Sequence, residues 1–261
     1  MSGRGMRRAT YARHDAMIGL VRDRGVTDVE TLAARLAVST STVRRDLSTL
    51  QQQGRLARTY GGALATDVFR ERPFTESERL NLEAKAAIAD VALGLVPPEG
   101  TVFLDAGTTC LALARRLAEG RPLTVVTRGL EAALVLARSA NVDVVLTGGR
   151  VQPLSHGVIG PLASLALNRL HFDIAFLGAD AVDPTRGLGE PTVEETWIKQ
   201  EAAARADRVV LLADSSKLAQ CTPAWIPIAE SWTVVLDAAA PKAACTAFTE
   251  RGVRVLTPTR R

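Results

Sequence analysis

No apolar run in this chain approaches the roughly 20 residues of a membrane span, so no transmembrane segment and no membrane partner are expected. The opening MSGRGMRRAT is basic but lacks the apolar core and small-residue cleavage site of a secretory signal, and is expected to be a basic tail. Cysteine is sparse. Cys110, Cys221 and Cys245 are odd in number and far apart, which excludes a disulfide framework and a CxxC metal or redox pair and suits the reducing cytoplasm. His14, His156 and His171 have no partner at metal-ligand spacing, so no metal or other cofactor is expected and the three are assigned no role. Aromatic residues make up only 4% of the 261 residues, and aliphatics with alanine supply most of the 47% hydrophobic content. That is enough for two cores, one small and one of medium size.

Lysine is missing from the first 62 residues, which hold 11 Arg against 5 acids, a net of +6, and leave −2 for the remainder of a chain whose total is +4. A basic module joined to a slightly acidic one suggests a polyanion partner for the first alone. Within it, Ile18 and Val21, then Val29, Leu32, Ala33 and Leu36, then Val43, Leu47 and Leu50 fall at helical spacing, separated by DRGVTD and AVST. The second break is too short for a free linker, so the last two helices must cross steeply, as in a helix-turn-helix. Ser39 is placed to cap the third helix and Gly54 to stop it. Burying Val43, Leu47 and Leu50 turns Ser41, Arg45 and Ser48 outward, with Thr42 and Arg44 beside them. Hydroxyls and guanidinium forks on one exposed face suit the phosphates and guanine edges of double-stranded DNA. A merely solvated face is the alternative, but such faces mix acids with bases, and Asp46 is the only acid between Glu30 and Asp67. RLARTYGGAL then predicts a two-stranded wing that brings Arg55 and Arg58 near a DNA backbone.

TDVFRERPFTESERLN, residues 66–81, is charged and broken by Pro73, so the expected layout is a DNA-binding domain at 1–65, a linker at 66–80 and an effector-binding and oligomerisation domain at 81–261. After the amphipathic EAKAAIADVALGLV, seven β-like runs alternate with helical ones: TVFLDAG, LTVVTRG, VDVVLTGG, FDIAFLGAD, RVVLLADSSK, TVVLD and VRVLT. The alternation predicts an α/β fold with a mostly parallel sheet covered on both faces. Ligands of such sheets sit beyond the carboxyl ends of the strands. DAGTT, residues 105–109, sets Asp105, Gly107, Thr108 and Thr109 between a strand and a helix N-terminus, where phosphate is favoured, although ordinary turns use the same residues. LTGG with Gly148, LGADAVD with Asp180 and Asp183, and DSSK end three further strands. Their carboxylates can take sugar hydroxyls, while Lys85, Lys199 or Lys217 can answer phosphate charge.

TLAARLAVSTSTVRRDLSTLQQQGRLARTYGGA resembles the N-terminal signature of the DeoR family of bacterial transcriptional regulators, and FLDAGTT, TGG, LGAD, EETWIK and ADSSK are similar in order and spacing to that family's C-terminal sensor domain. The resemblance covers nearly the whole chain. It implies a winged helix-turn-helix that binds an operator through Ser39, Ser41, Thr42, Arg44 and Arg45. It further implies a Rossmann-like sensor, similar in fold to ribose-5-phosphate isomerase, that takes a phosphorylated sugar. Carried over by position, Gly107, Thr108 and Thr109 would cradle phosphate, Lys85 would approach it, and Asp180, Asp183 and Lys199 would line the sugar. VTRG stands where relatives read VTNS, so Arg128 replaces a neutral amide and would favour a more anionic effector; Ser215 stands where histidine is common. In GADA, Ala181 occupies the place of the isomerase glutamate, which argues against retained proton transfer, although Asp180, Asp183 and Glu195 remain as candidate bases. The implied function is a cytoplasmic, homo-oligomeric repressor of carbohydrate-metabolism genes. A sugar-phosphate isomerase with an accessory DNA-binding domain is the alternative.

Overall fold

The computed structural model describes residues 13, 14, 16, 17, 20, 26–52, 56–59, 62–65 and 71–258, with only the backbone path given over 51–65. Ile18, Val21, Gly54, Arg55 and the side chain of Arg58 lie outside the described residues. The chain divides into two compact units, Met1–Arg70 and Glu71–Arg261.

In the first unit, β1 (Val26–Asp28) leads into α1 (Val29–Leu36) and α2 (Thr40–Gln52), followed by β2 (Leu56–Thr59) and β3 (Gly62–Ala65). Asp28 caps α1 by accepting from the Thr31 amide at 2.7 Å, and Ala37 ends it in the left-handed region at φ 52°. Ser39 accepts from the Thr42 amide at 3.2 Å, as its capping position requires. Met17, Val29, Leu32, Ala33, Val43, Leu47 and Leu50 form one core. Strands β2 and β3 pair antiparallel, Leu56 opposite Ala65 and Thr59 opposite Gly62, with β1 on the far side of β3. The wing is therefore three-stranded.

The second unit opens with a short helix, α3 (Phe74–Ser77), and α4 (Leu82–Leu93). Seven parallel strands follow: β4 (Thr101–Leu104), β5 (Leu123–Thr127), β6 (Val142–Leu146), β9 (Ile174–Leu177), β12 (Val209–Ala213), β14 (Thr233–Leu236) and β15 (Arg254–Leu256). Their order is β15-β14-β12-β9-β4-β5-β6. They coincide with the seven apolar runs of the sequence. Successive residues face opposite sides. Val102 and Leu104 join Ile88, Leu113, Leu117 and Leu136 of α4, α5 (Thr108–Ala118) and α6 (Leu130–Leu136) in one core. Phe103 joins Leu167, Ile198 and Phe248 of α7 (Pro161–Leu167), α8 (Val193–Ala203) and α9 (Lys242–Glu250) in the other. Burial on both faces is why the inner strands β4, β5, β9, β12 and β14 read as continuous apolar runs; the edge strands β6 and β15 are partly exposed. Two small sheets, β7 (Arg150–Val151) with β8 (Val158–Ile159), and β10 (Ala181–Asp183), β11 (Gly187–Glu190) and β13 (Ala224–Ile226), carry no such signal, being too short to show a period.

The sheet order places β4 beside β9. From β4 the chain moves outward to β5 and β6; from β9 it moves the other way, through β12 to β15. Loops leaving β4 and β9 therefore part in opposite directions, which opens a crevice at their carboxyl ends. Residues 71–80, expected to be the end of a linker, are instead packed into this unit. Phe74 is buried in the first of its two cores, and its amide donates to the Leu154 carbonyl at 2.8 Å.

Candidate functional site

The crevice is a cleft of about 570 Å³ including its open mouth. Ala106–Cys110 line it from the β4 loop and the start of α5; Gly178, Ala179 and Asp180 line it from the β9 loop. Gly107 caps α5 at φ +106° without a side-chain bond to the helix. The first-turn amides of α5, including those of Thr108 and Thr109, thus have no intrahelical partner and no side-chain partner among the described residues, and point along the positive end of the helix dipole. A Cβ on Gly107 would meet nothing within 4 Å, so the space over this turn is open.

Beneath the cleft lies a buried ionic cluster. Asp105 is fully buried; its carboxylate pairs with Arg128 Nε at 2.5 Å and Lys199 Nζ at 2.7 Å and accepts from the amides of Ala106 and Gly178 at 2.8 and 3.0 Å. Lys199 also donates to the Gly178 carbonyl at 2.8 Å and stands 2.7 Å from Glu190 Oε1, a contact with ion-pair but not hydrogen-bond alignment. Burial by itself would raise the Asp105 carboxyl, but Arg128 and Lys199 outweigh it and hold the group below the ordinary carboxylate value. Burial would likewise lower the Lys199 ammonium, and Asp105 with Glu190 reverse this. Glu190 is pushed up to about 8 by burial, against the pull of Lys199. Arg128 and Lys199 thus stand beneath the cleft as buried cations that share Asp105, with Glu190 beside Lys199. Arg128 Nη1 is buried with no hydrogen-bond partner among the described residues. Gly157 leaves room for it: a Cβ there would stand 2.5 Å from Nη1.

At the rim, Lys217 pairs with Asp180 at 3.1 Å. Glu195, third residue of α8, is fixed by the N-cap Thr192: its amide donates to Thr192 Oγ1 at 3.2 Å, and the Thr192 hydroxyl donates to Glu195 Oε2 at 3.0 Å. Ser155 donates to its other oxygen at 3.1 Å.

The structure thus brings Gly107, Thr108, Thr109, Arg128, Asp180, Lys199 and Lys217 together, with Asp105 as the buried counter-ion below them. Three expected residues are not brought to the cleft. The Lys85 ammonium, lowered to about 8 by burial, is spent on the carbonyls of Ser77 and Leu80 at 2.5 and 2.8 Å. Asp183 accepts from the amides of Thr185 and Arg186 at 2.7 and 2.8 Å and so shapes the β10–β11 turn. Gly148 follows β6, the last strand of the sheet, beside Leu162. Conversely Glu71, Arg72, Phe74, Ser77, Ser155 and Glu190 line the cleft although no motif or spacing in the sequence marks them. His156 also has a place: it is paired with Glu131 and stacked on Phe74, ring centroids 5.3 Å apart.

On α2 of the first unit, Ser41, Arg44, Arg45 and Ser48 are exposed and Thr42 is half-buried. Asp46 is buried and neutralised by Arg13 at 2.6 Å and His14 at 3.1 Å, so the exposed face of this helix carries no acid. Burial would raise the Asp46 carboxyl, but those two partners hold it below its ordinary value. Arg44 lies 4.0 Å from Glu30, an exposed pair that restrains it little. The hydroxyl of Ser39 contacts those of Ser41 and Thr42 at 2.8 Å each, so it serves the helix cap first.

Residues 13–68 match the profile of the DeoR-like helix-turn-helix domain, and residues 80–238 that of the DeoR C terminal sensor domain. The chain is 38% identical over 203 residues to the HTH-type transcriptional regulator GlpR of Haloferax volcanii, covering 77% of this chain and 79% of that protein. It is 34% identical to the putative aga operon transcriptional repressor of Escherichia coli O157:H7, covering 80% and 78%. It is also 34% identical to the HTH-type transcriptional regulator GolR of Listeria innocua, covering 94% and 97%. Among solved structures, a ribose 5-phosphate isomerase A from Methanocaldococcus jannaschii aligns at 23% identity and a TM-score of 0.40, over 53% of this chain and 55% of that one.

Proposed function

The chain belongs to the DeoR family of transcriptional regulators, and from that premise we propose that its sensor unit binds a phosphorylated sugar and thereby sets the affinity of its helix-turn-helix for double-stranded operator DNA. It is a regulator and not an enzyme, and it acts as a repressor of carbohydrate-metabolism genes in the cytoplasm. One observation carries the effector reading: a cleft at the sheet's switch point whose floor holds the buried cations Arg128 and Lys199, Arg128 with Nη1 unpartnered among the described residues, and whose wall is an uncapped helix N-terminus. Phosphate meets the Gly107–Thr109 amides, Lys199 and Arg128 supply the field from below, and Asp180 and Lys217 face the sugar hydroxyls. On the DNA side, Arg44, Arg45, Ser41 and Thr42 reach bases and phosphates, with Arg58 on the wing. Homo-oligomerisation completes the reading, because an operator of repeated half-sites needs paired recognition helices; Leu162, Leu165, Val193 and Trp197, all more than half exposed, are the apolar surface such an assembly would cover.

Operator binding measured against added phosphorylated sugars tests this directly. The parent is expected to change its operator affinity with at least one of them and to leave that compound chemically unchanged. Ala181 lies buried in β10 and offers no proton acceptor. Isomerisation above the uncatalysed rate, lost on changing Asp180, would restore the enzyme alternative.

Gly107→Val is expected to abolish the effector response, measured as the ratio of operator affinities with and without effector. The glycine's φ of +106° is closed to a β-branched residue without about 1–3 kcal/mol of strain, and the added methyls would stand over the amides that hold phosphate. Thr109→Ala should weaken the response less, because the backbone donors remain. A parental response from both variants would move the phosphate to Arg128 or Lys217.

A further inference from the structure

The segment that opens the second unit supplies one side of the cleft through Glu71, Arg72, Phe74 and Ser77. It is fastened beyond Glu71. The amide of Phe74 is bonded to Leu154 and its ring stacks on His156; Lys85 grips the carbonyls of Ser77 and Leu80; Glu78 pairs with Arg115 at 2.7 Å. Glu71 has no comparable anchor among the described residues. Its Oε1 is buried in the cleft wall with no hydrogen-bond partner among the described residues, a state that calls for a ligand or a movement. Charged groups face it from four other elements: Glu195 of α8 and Asp180 of the β9 loop repel its ionised form, while Arg128 after β5 and Lys217 of the 3₁₀ turn Ser215–Ala219 attract it. Burial first, and then the two carboxylates, push its carboxyl up to about 7. A phosphate dianion entering the cleft would favour the neutral form further, and a neutral carboxyl donates to an anion instead of repelling it.

We propose that Glu71 reads effector occupancy: its carboxyl donates a hydrogen bond to the bound phosphorylated sugar, and because Glu71 directly follows Arg70, the last residue of the DNA-binding unit, holding it constrains the chain where the two units join. This rests on the effector reading given above. Occupancy then reaches the DNA-binding unit through the covalent chain, in addition to any rearrangement of an assembly.

The test uses the full chain. Operator affinity is titrated with glycerol 3-phosphate, ribose 5-phosphate, fructose 6-phosphate, glucosamine 6-phosphate and inorganic phosphate. Glu71→Gln retains an N–H donor of similar size, and its response should stay within about 3-fold of the parent, whereas Glu71→Ala should require about 10-fold more effector or greater for the same change. A pH profile separates a reading role from a merely structural one. Between about pH 7 and about 9 the phosphate is already dianionic, so the parent's effector affinity should fall as Glu71 ionises against it. Glu190 and Lys85 titrate in the same window in both proteins, so the shallower slope expected of Glu71→Gln isolates Glu71. A Glu71→Ala protein that titrates like the parent, or a Glu71→Gln protein with the parent's pH slope, overturns the proposal and leaves the effector reading standing. A parent that ignores all five compounds overturns both.

Discussion

Asp105→Ala is expected to destabilise the sensor unit by about 3–5 kcal/mol, seen as a fall in its thermal midpoint of roughly 6–20 °C. The reason is the asymmetry of buried ion pairs: the pair itself contributes little net stability, but removing one partner leaves the other charged and desolvated. Here one carboxylate serves two cations, Arg128 and Lys199, both almost wholly buried. Lys199 would retain Glu190 at 2.7 Å, whereas Arg128 has no other ion-pair partner among the described residues. Two backbone amides, of Ala106 and Gly178, would also lose their acceptor. Asp105→Asn should lie between, since the amide oxygen can still accept one of these bonds. The sign of the pH dependence follows from the lowered carboxyl: its contribution is fully present above about pH 4 and is lost as pH falls through the folded-state value, so the acid sensitivity of the parent should be reduced in Asp105→Asn. A loss below about 1 kcal/mol in Asp105→Ala would mean that water enters and solvates the two cations, and Asp105 would then not be their necessary counter-ion.

Removing Arg44 and Arg45 together is expected to abolish measurable operator binding at physiological salt. Each is exposed on α2, and each costs about 1–3 kcal/mol if it contacts a base edge. Arg45 has no ion-pair partner among the described residues, and Arg44 gives up only a 4.0 Å exposed contact with Glu30. Salt separates the two modes. A base-reading arginine, when replaced, relaxes sequence preference, while a phosphate-contacting one flattens the dependence of affinity on salt. Neither change should unfold the unit, because Val43, Leu47 and Leu50 carry the helix's buried face. Parental operator affinity in the double variant would remove the recognition face from α2.

Elements with a strong internal period are legible in the sequence. The spacing of Val43, Leu47 and Leu50 is enough to tell which face of α2 is buried, because a helix's period alone decides which residues share a face. All seven strands of the large sheet are legible as apolar runs: the inner ones because burial on both faces tolerates no polar alternation, the edge strands β6 and β15 although they are partly exposed. The glycine turn at the start of α5 is legible too, since a glycine at a helix N-terminus after a strand is a local pattern.

Only the tertiary structure decides what depends on contacts far apart in the chain. Residues 71–80 have the sequence character of a linker because their charge and Pro73 break every period; they are ordered by Leu154 and His156, about 80 positions away. By charge and position, Arg128 and Lys85 both have the character of effector ligands. The first is tied to Asp105 beneath the cleft, with Nη1 left over, and the second is spent on two carbonyls. Asp46 is the lone acid on a basic helix, yet Arg13 and His14, more than 30 residues earlier, bury and neutralise it. In each case the sequence names the charge. Its partner follows from which strands and helices pack side by side, and side-chain charge carries no period from which that order can be read.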